Sequence, residues 1–156
     1  MIRVQTEDFD VGAELKALQR NGNVGAIVTF TGIVREFSGS QQLAAMTLEH
    51  YPGMTERQLA EIEAEAHRRW PLDNSLIIHR YGRLEPGDRI VFVATASAHR
   101  EAAFESCMFL VDYLKTQAPF WKLEEGAGVA DWVEARESDD LARARWEKTS
   151  AGTSST

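Results

Sequence analysis

Three short stretches of this 156-residue chain carry basic side chains where local structure would expose them. The first is residues 29–35, in which an apolar run leads into Gly32 and then Arg35. A guanidinium at the end of a strand can clamp an anion, and a glycine allows close backbone approach. By itself the stretch is explained more simply, with Gly32 marking a β-bulge and Arg35 a solvated strand end.

The second stretch is residues 97–100, Ser-Ala-His-Arg, directly after a predicted strand and at the start of a predicted helix. Free backbone N–H groups and the helix dipole favour an anion there, and His99 and Arg100 would add charge-assisted donors. The alternative is a surface His-Arg pair with Ser97 acting only as the helix cap. The stretch alone does not separate the two interpretations.

In the third stretch two lysines, Lys115 and Lys122, bracket an apolar Ala-Pro-Phe-Trp segment. A lysine held against aromatic rings can have a lowered pKa and act as a nucleophile or general base. Lys115 also lies at a predicted helix C-terminus, where a cation is favourable for purely structural reasons. The local pattern favours this structural interpretation.

The predicted helix separates two of these basic residues. Arg100 and Lys115 are fifteen residues apart, which corresponds to about 22 Å at 1.5 Å per residue. One small ligand cannot touch both in a single chain. A site that used both would therefore be shared by two chains, which predicts a homodimer with the site at its interface.

The elements that must position these residues alternate without a regular βαβ rhythm, which predicts an α+β sandwich. Capping residues are expected at Thr55, where Gln58 would complete a capping box, at Ser97 and at Ser138. Residues 38–42 are predicted to form a polar loop. Strands are predicted at residues 2–4, 24–30, 46–51, 76–79, 89–96, 120–125 and 131–135, and helices at 11–18, 55–70, 97–117 and 138–146.

Composition narrows the class of protein. The net charge is −7, which argues against a general nucleic-acid binder because phosphate neutralisation needs a basic surface. The single cysteine, Cys107, excludes an intrachain disulfide and suits the apolar stripe of its helix. The N-terminus lacks the apolar core of a signal peptide, and no segment has the length of a membrane span. We expect a cytoplasmic protein without a membrane or nucleic-acid partner.

Taken together, the motifs resemble the catalytic (large) subunit family of molybdopterin synthase. The resemblance runs in order over nearly the whole chain up to Trp146, and it outweighs the simpler interpretation of each stretch. It is carried by residues 28–32 with Val34 and Arg35, 48–54, 79–80, Gly82, 86–88, 97–100, 112–115, 118–122, Glu124 and 132–135.

The resemblance implies an α/β hammerhead-type fold with an additional small antiparallel β subdomain, formed by residues 1–147, and a disordered tail at 148–156. It implies a homodimer that carries a small ubiquitin-like sulfur-carrier subunit at each end, as a heterotetramer. The reaction would move sulfur from the carrier's C-terminal thiocarboxylate to cyclic pyranopterin monophosphate, forming the dithiolene of molybdopterin. Neither a cofactor nor a metal is implied.

The resemblance also implies site residues. Lys115 is expected to be the main catalytic lysine, as a proton shuttle or covalent partner, with Lys122 assisting electrostatically. The full set of residues expected to bind substrate is Ile33, Val34, Arg35, His99, Arg100, Lys115, Lys122, Leu123, Glu124 and Arg136.

Two other functions remain as alternatives. One is a noncatalytic module that binds a pterin phosphate or a ubiquitin-like tail. The other is a thiol enzyme using Cys107 and His99, which is disfavoured because eight helical residues span about 12 Å, too far for a nucleophile–base hydrogen bond.

Overall fold

The computed structural model describes residues 1–20, 22–117, 120–126, 129–133 and 137–147. The predicted tail at 148–156 lies outside these residues. The helices are α1 (Val11–Leu18), α2 (Met54–Arg69), α3 (Arg100–Thr116) and α4 (Glu137–Glu147). The strands are β1 (Ile2–Gln5), β2 (Ala26–Ile33), β3 (Phe37–Ser38), β4 (Gln41–Gln42), β5 (Ala45–His50), β6 (Asn74–Arg80), β7 (Gly82–Leu84), β8 (Arg89–Ser97), β9 (Phe120–Gly126) and β10 (Val129–Val133).

The first sheet has the strand order β1-β6-β8-β2, with β1 parallel to β6 and the other pairs antiparallel. Both faces of this sheet are covered. Side chains alternate along the central strand β6, so its neighbouring residues pack on opposite faces. Ile77 packs with apolar residues of α2 and α3, including Ile62 and Leu110. Leu76 and Ile78 pack on the other side. The helix pair α2 and α3 therefore lies on one face of this sheet.

The second sheet has the order β10-β9-β5-β7 and is antiparallel throughout. Its small core contains Val34, Met46, Leu48 and Leu84. The predicted α+β class, with an additional small antiparallel sheet, is confirmed. Some details differ. Strand β7 was not predicted, and the loop expected at 38–42 contains the short hairpin of β3 and β4, which Gly39 closes with a φ of 63°. The strand predicted at 24–30 begins and ends later, as β2, and the strand predicted at 131–135 begins two residues earlier, as β10, while its last two residues lie outside the described residues.

The predicted helix caps are wrong in three places. Helix α2 begins one residue before Thr55, which is fully buried and accepts the backbone N–H of Tyr51 through Oγ1 at 3.1 Å. The N-cap of α2 is instead Gly53, whose backbone N–H donates to Glu56 Oε2 at 2.6 Å. Ser97 ends strand β8 and accepts the N–H of His99, the true N-cap of α3. Ser138 lies inside α4, which begins at Glu137.

Helix α4 is fixed to α3 through its last turn. Trp146 Nε1 donates to Asp112 Oδ2 at 2.7 Å, and Asp112 is buried. Arg69 at the end of α2 donates to the Trp146 carbonyl at 2.9 Å, and the indole packs edge-on against Phe109. These contacts hold the end of α4 against α3, the helix that carries Lys115.

Candidate active site

The register of the second sheet places Lys122 and Glu124 on one face of β9. Lys122 lies opposite Leu48 of β5, and Glu124 lies opposite Met46. Directly opposed residues share a sheet face, so both charged groups stand on the side that buries Met46 and Leu48. Lys122 Nζ lies 3.1 Å from Glu124 Oε1, and the side chains are 35% and 12% exposed. The result is a partly covered ion pair with an accessible ammonium group.

Arg35 lies two residues after the end of strand β2. The register with β8 shifts between Gly32 and Ile33, which confirms the bulge that the glycine indicated. Val34 then turns into the core of the second sheet, while Ile33 is 53% exposed. The Val34 N–H donates to the Asp88 carbonyl, and the Val34 carbonyl accepts from the Gly87 N–H, both at 2.9 Å. Arg35 is exposed. It directly follows Val34, which packs in the core of the second sheet with Met46 and Leu48.

An aromatic stack anchors the first residue of β9. The rings of His79 and Phe120 are parallel to within 16°, with centroids 3.7 Å apart. Phe120 also lies opposite His50 in the sheet register. His79 is buried, and burial lowers its pKa to about 4; its Nδ1 donates to the Arg80 carbonyl at 2.9 Å. No sequence pattern indicates this stack, because its two rings come from different sheets.

His99 and Arg100 lie far from this region within one chain. Ser97 pairs with Ala26 at the start of β2, whereas Arg89 pairs with Ile33 at its end. Eight strand residues place these ends about 23 Å apart. His99 and Arg100 follow Ser97, so they stand at the opposite end of the first sheet from Arg35.

Helix α3 places Lys115 in its last turn, a full helix length from Arg100. The helix packs on β2 and β8, and the chain passes from its end to β9 and Lys122. The predicted separation of about 22 Å therefore stands, since both residues lie on one continuous helix. A single chain does not bring its Arg100 and its Lys115 to one small ligand.

Two of the residues expected to bind substrate, Leu123 and Arg136, are not placed beside Lys122 and Glu124 by the described structure. The Leu123 side chain is on the opposite face of β9 from its neighbours Lys122 and Glu124, because side chains alternate along a strand, and it is registered with Thr47. A role for Leu123 in substrate binding stays a prediction. Arg136 lies outside the described residues, and its role stays a prediction as well.

Several cationic groups at these positions are available to a ligand. In the described part of the chain no carboxylate pairs with the side chains of Arg35, Arg100 or Lys115, and the His99 ring makes no hydrogen bond. All four side chains are exposed. In an acidic protein, unpaired cations at these positions suit an anionic ligand.

Cys107 is not available for nucleophilic chemistry. The thiol is buried, and burial raises its pKa to about 11. A thiolate is the reactive form, so a thiol this weakly acidic is inert at neutral pH. This finding removes the chemical basis for a Cys107–His99 enzyme.

No group of three or more His, Cys, Asp or Glu side chains among the described residues could hold a metal ion. None of the described helices is long and apolar enough to cross a membrane.

Comparison with known proteins covers nearly the whole chain. The family model described as "MoaE protein" matches residues 4–117. The molybdopterin synthase catalytic subunit of Pseudomonas aeruginosa is 57% identical over 148 residues, which cover 94% of this chain and 99% of that protein. The solved structure of the molybdopterin biosynthesis MoaE protein from Burkholderia ambifaria is 55% identical with a TM-score of 0.81, covering 94% of this chain and 97% of that one. The crystal structure of molybdopterin synthase from Staphylococcus aureus is 30% identical with a TM-score of 0.79, covering 85% and 96%. Its sequence and its fold together make this chain a member of the MoaE protein family.

Proposed function

We propose that this chain is the catalytic subunit of a molybdopterin synthase, a sulfur-transferring enzyme of molybdenum cofactor biosynthesis. The observation that carries the proposal is the cluster around Lys122: an accessible ammonium paired with Glu124, on the sheet face whose core also holds Val34, the residue before the unpaired Arg35. This cluster occurs in a chain 57% identical to a protein of that name. Such a site suits an anionic substrate and an anionic transition state.

The reaction is transfer of sulfur from a thiocarboxylate at the C-terminus of a small ubiquitin-like carrier subunit to cyclic pyranopterin monophosphate. Arg35, His99 and Arg100 bind the phosphate and polar pterin through charge-assisted hydrogen bonds. Lys115 acts as proton shuttle or covalent partner. Lys122, oriented by Glu124, stabilises the negative charge that develops during acyl transfer. Ile33, Leu123 and Arg136 complete the proposed substrate-binding set, and Val34, whose side chain is buried, contributes by holding the main chain before Arg35.

The working site takes residues from two copies of the chain. Arg35, Lys115, Lys122 and Glu124 come from one copy, and His99 and Arg100 come from the other, because α3 separates the two groups by about 22 Å. The exposed side chains of Phe104 (63%) and Met108 (49%) lie along α3 between Arg100 and Lys115, which supports contact with a second copy. The assembly is a homodimer within a heterotetramer, in the cytoplasm.

The test is a single-turnover assay. Purified protein is mixed with cyclic pyranopterin monophosphate and thiocarboxylated carrier, and dithiolene product is measured. The wild type should form product and a Lys115→Ala variant almost none. Lys16→Ala, which removes an exposed lysine of α1, is the matched control and should retain full activity. Absence of product with the wild type, while carrier binding is intact, would instead support a noncatalytic binding module.

A further inference from the structure

Phe120 occupies the position between the two catalytic lysines. It is the first residue of β9, five residues after Lys115 and two before Lys122. Phe120 and Lys122 share a face of β9, because side chains two apart in a strand point the same way. Whatever fixes Phe120 therefore also fixes the start of the strand that presents Lys122.

His79 is well placed to fix Phe120. It lies near the end of β6, an interior strand of the first sheet, with Val4 of β1 on one side and Val91 of β8 on the other. Its ring is buried and its orientation is set by the hydrogen bond from Nδ1 to the Arg80 carbonyl. A buried, hydrogen-bonded flat ring thus meets Phe120 at 3.7 Å between centroids.

We propose that His79 is a positioning residue for sulfur transfer, which holds Lys122 in place by stacking on Phe120. The inference rests on the proposed catalytic role of Lys122. The stack joins an interior strand of the first sheet to the strand of the second sheet that carries the ion pair of Lys122 and Glu124. His50, opposite Phe120 in β5 and 4.3 Å from Tyr81 between ring centroids, borders the same stack.

The chemistry of the ring fits this role. An uncharged imidazole stacks on a phenyl ring without the desolvation penalty of a buried charge, and burial keeps His79 uncharged at neutral pH. Loss of the ring would free the start of β9 without removing any group that touches substrate. A displacement of about 1 Å in a catalytic group can cost about 100-fold in rate, so the effect should appear in the rate of the chemical step rather than in substrate binding.

The kinetic experiment compares His79→Ala, His79→Phe and His67→Ala in single turnover. His67 also contacts β6, through Ser75 Oγ at 2.8 Å, but is exposed on α2 and makes none of the described contacts with β9. We expect His79→Ala to lower the maximal rate by about 10- to 100-fold with half-saturation unchanged within about two-fold. His79→Phe, which restores a flat ring, should recover the rate to within about three-fold, and His67→Ala should match the wild type.

A structural readout separates this inference from the proposed function. The chain has only four lysines, Lys16, Lys115, Lys122 and Lys148, so ¹³C-dimethylation gives a simple NMR spectrum of their amino groups. The Lys122 signal should move in His79→Ala and return in His79→Phe, while the Lys16 signal stays fixed. This result would stand even if the wild type formed no dithiolene.

Two results would overturn the inference. One is a folded His79→Ala protein with a wild-type rate or a wild-type Lys122 signal. The other is a folded His79→Phe protein as slow as His79→Ala, which would mean that stacking is not the relevant interaction. If His79→Ala does not fold, Phe120→Leu takes its place, because it keeps an apolar side chain but removes the stacked ring. It is then judged by the same rate and the same signal.

Discussion

Glu124 and Lys122 form an ion pair two residues apart on one strand, with Nζ 3.1 Å from Oε1. The carboxylate is 12% exposed and the ammonium 35%. The less accessible partner is therefore the anion, and the more accessible one is the cation. Glu124 acts as the support of Lys122, since a nearly buried carboxylate is strongly destabilised without a cation beside it.

Removing the ammonium of Lys122 should impair sulfur transfer severely. We expect Lys122→Ala to lower the single-turnover rate by about 100- to 1,000-fold, because one preorganised stabilising group is lost from the transition state. Glu124→Gln keeps Lys122 but weakens its orientation, and a smaller loss is expected. Lys16→Ala serves as the control for a lysine removed elsewhere. A Lys122→Ala rate within a few-fold of wild type would show that this lysine does not stabilise the transition state.

Mixing two inactive variants should restore activity if the site is shared between chains. A dimer with one Arg100→Ala chain and one Lys115→Ala chain contains one intact site and one doubly defective site. Random reassociation makes half of the dimers mixed, so about a quarter of the wild-type sites are recovered. The measurement is dithiolene formation after co-refolding or coexpression. A mixture no more active than its two parents would contradict a site that takes Arg100 and Lys115 from two chains.

The buried His79 should make stability fall as the pH is lowered. Its pKa is about 4 in the folded protein against 6.5 when exposed, so below pH 6.5 the unfolded chain takes up a proton that the folded chain does not. Stability is therefore lost progressively between pH 6.5 and 4, by about 3 kcal/mol in total and about 2 kcal/mol at pH 5.

The check on His79 is urea denaturation at pH 7 and pH 5 for the wild type and His79→Phe. The variant should lose about 2 kcal/mol less than the wild type over this interval. The other histidines are common to both proteins and cancel in the comparison. The Asp8 carboxyl, whose pKa the Arg89 guanidinium holds near 2, responds only at lower pH. Equal losses in both proteins would mean that His79 takes up its proton in the folded state.

One hydrogen bond should contribute measurably to the docking of α4. Trp146→Phe keeps an aromatic ring against Phe109 but removes the Nε1–H that donates to the buried Asp112. Removing this donor from a buried carboxylate should lower the free energy of unfolding by about 1–3 kcal/mol, which denaturant unfolding would detect. Leu141→Ala, at an α4 side chain that is 69% exposed, is the control and should change stability by less than about 0.5 kcal/mol. An equal effect of the two substitutions would contradict the role of this hydrogen bond.

Local patterns predicted most of the elements, because apolar periodicity and turn residues act within a few positions of one another. The helix that separates Arg100 from Lys115 was predictable in this way, and so was the bulge at Gly32. The caps were not, since Thr55 and Ser97 are good capping residues whose hydroxyl groups bond elsewhere, with the Tyr51 N–H and the Pro71 carbonyl respectively. The pairing of β9 with β5, which sets Lys122 beside Leu48, depends on contacts more than seventy residues apart in the chain.

The two backbone hydrogen bonds at Val34 have a thermodynamic consequence for Arg35. They fix the main chain directly before the arginine, while its side chain remains exposed. When an anion binds, the backbone before Arg35 is already ordered and loses little conformational entropy, so the main cost is the rotamer freedom of one side chain, about 2 kcal/mol at most. A guanidinium on an unanchored loop would also have to order several residues of main chain. If Arg35 binds an anion as proposed, the hydrogen bonds of Val34 strengthen that binding by an amount that no contact with the anion would reveal.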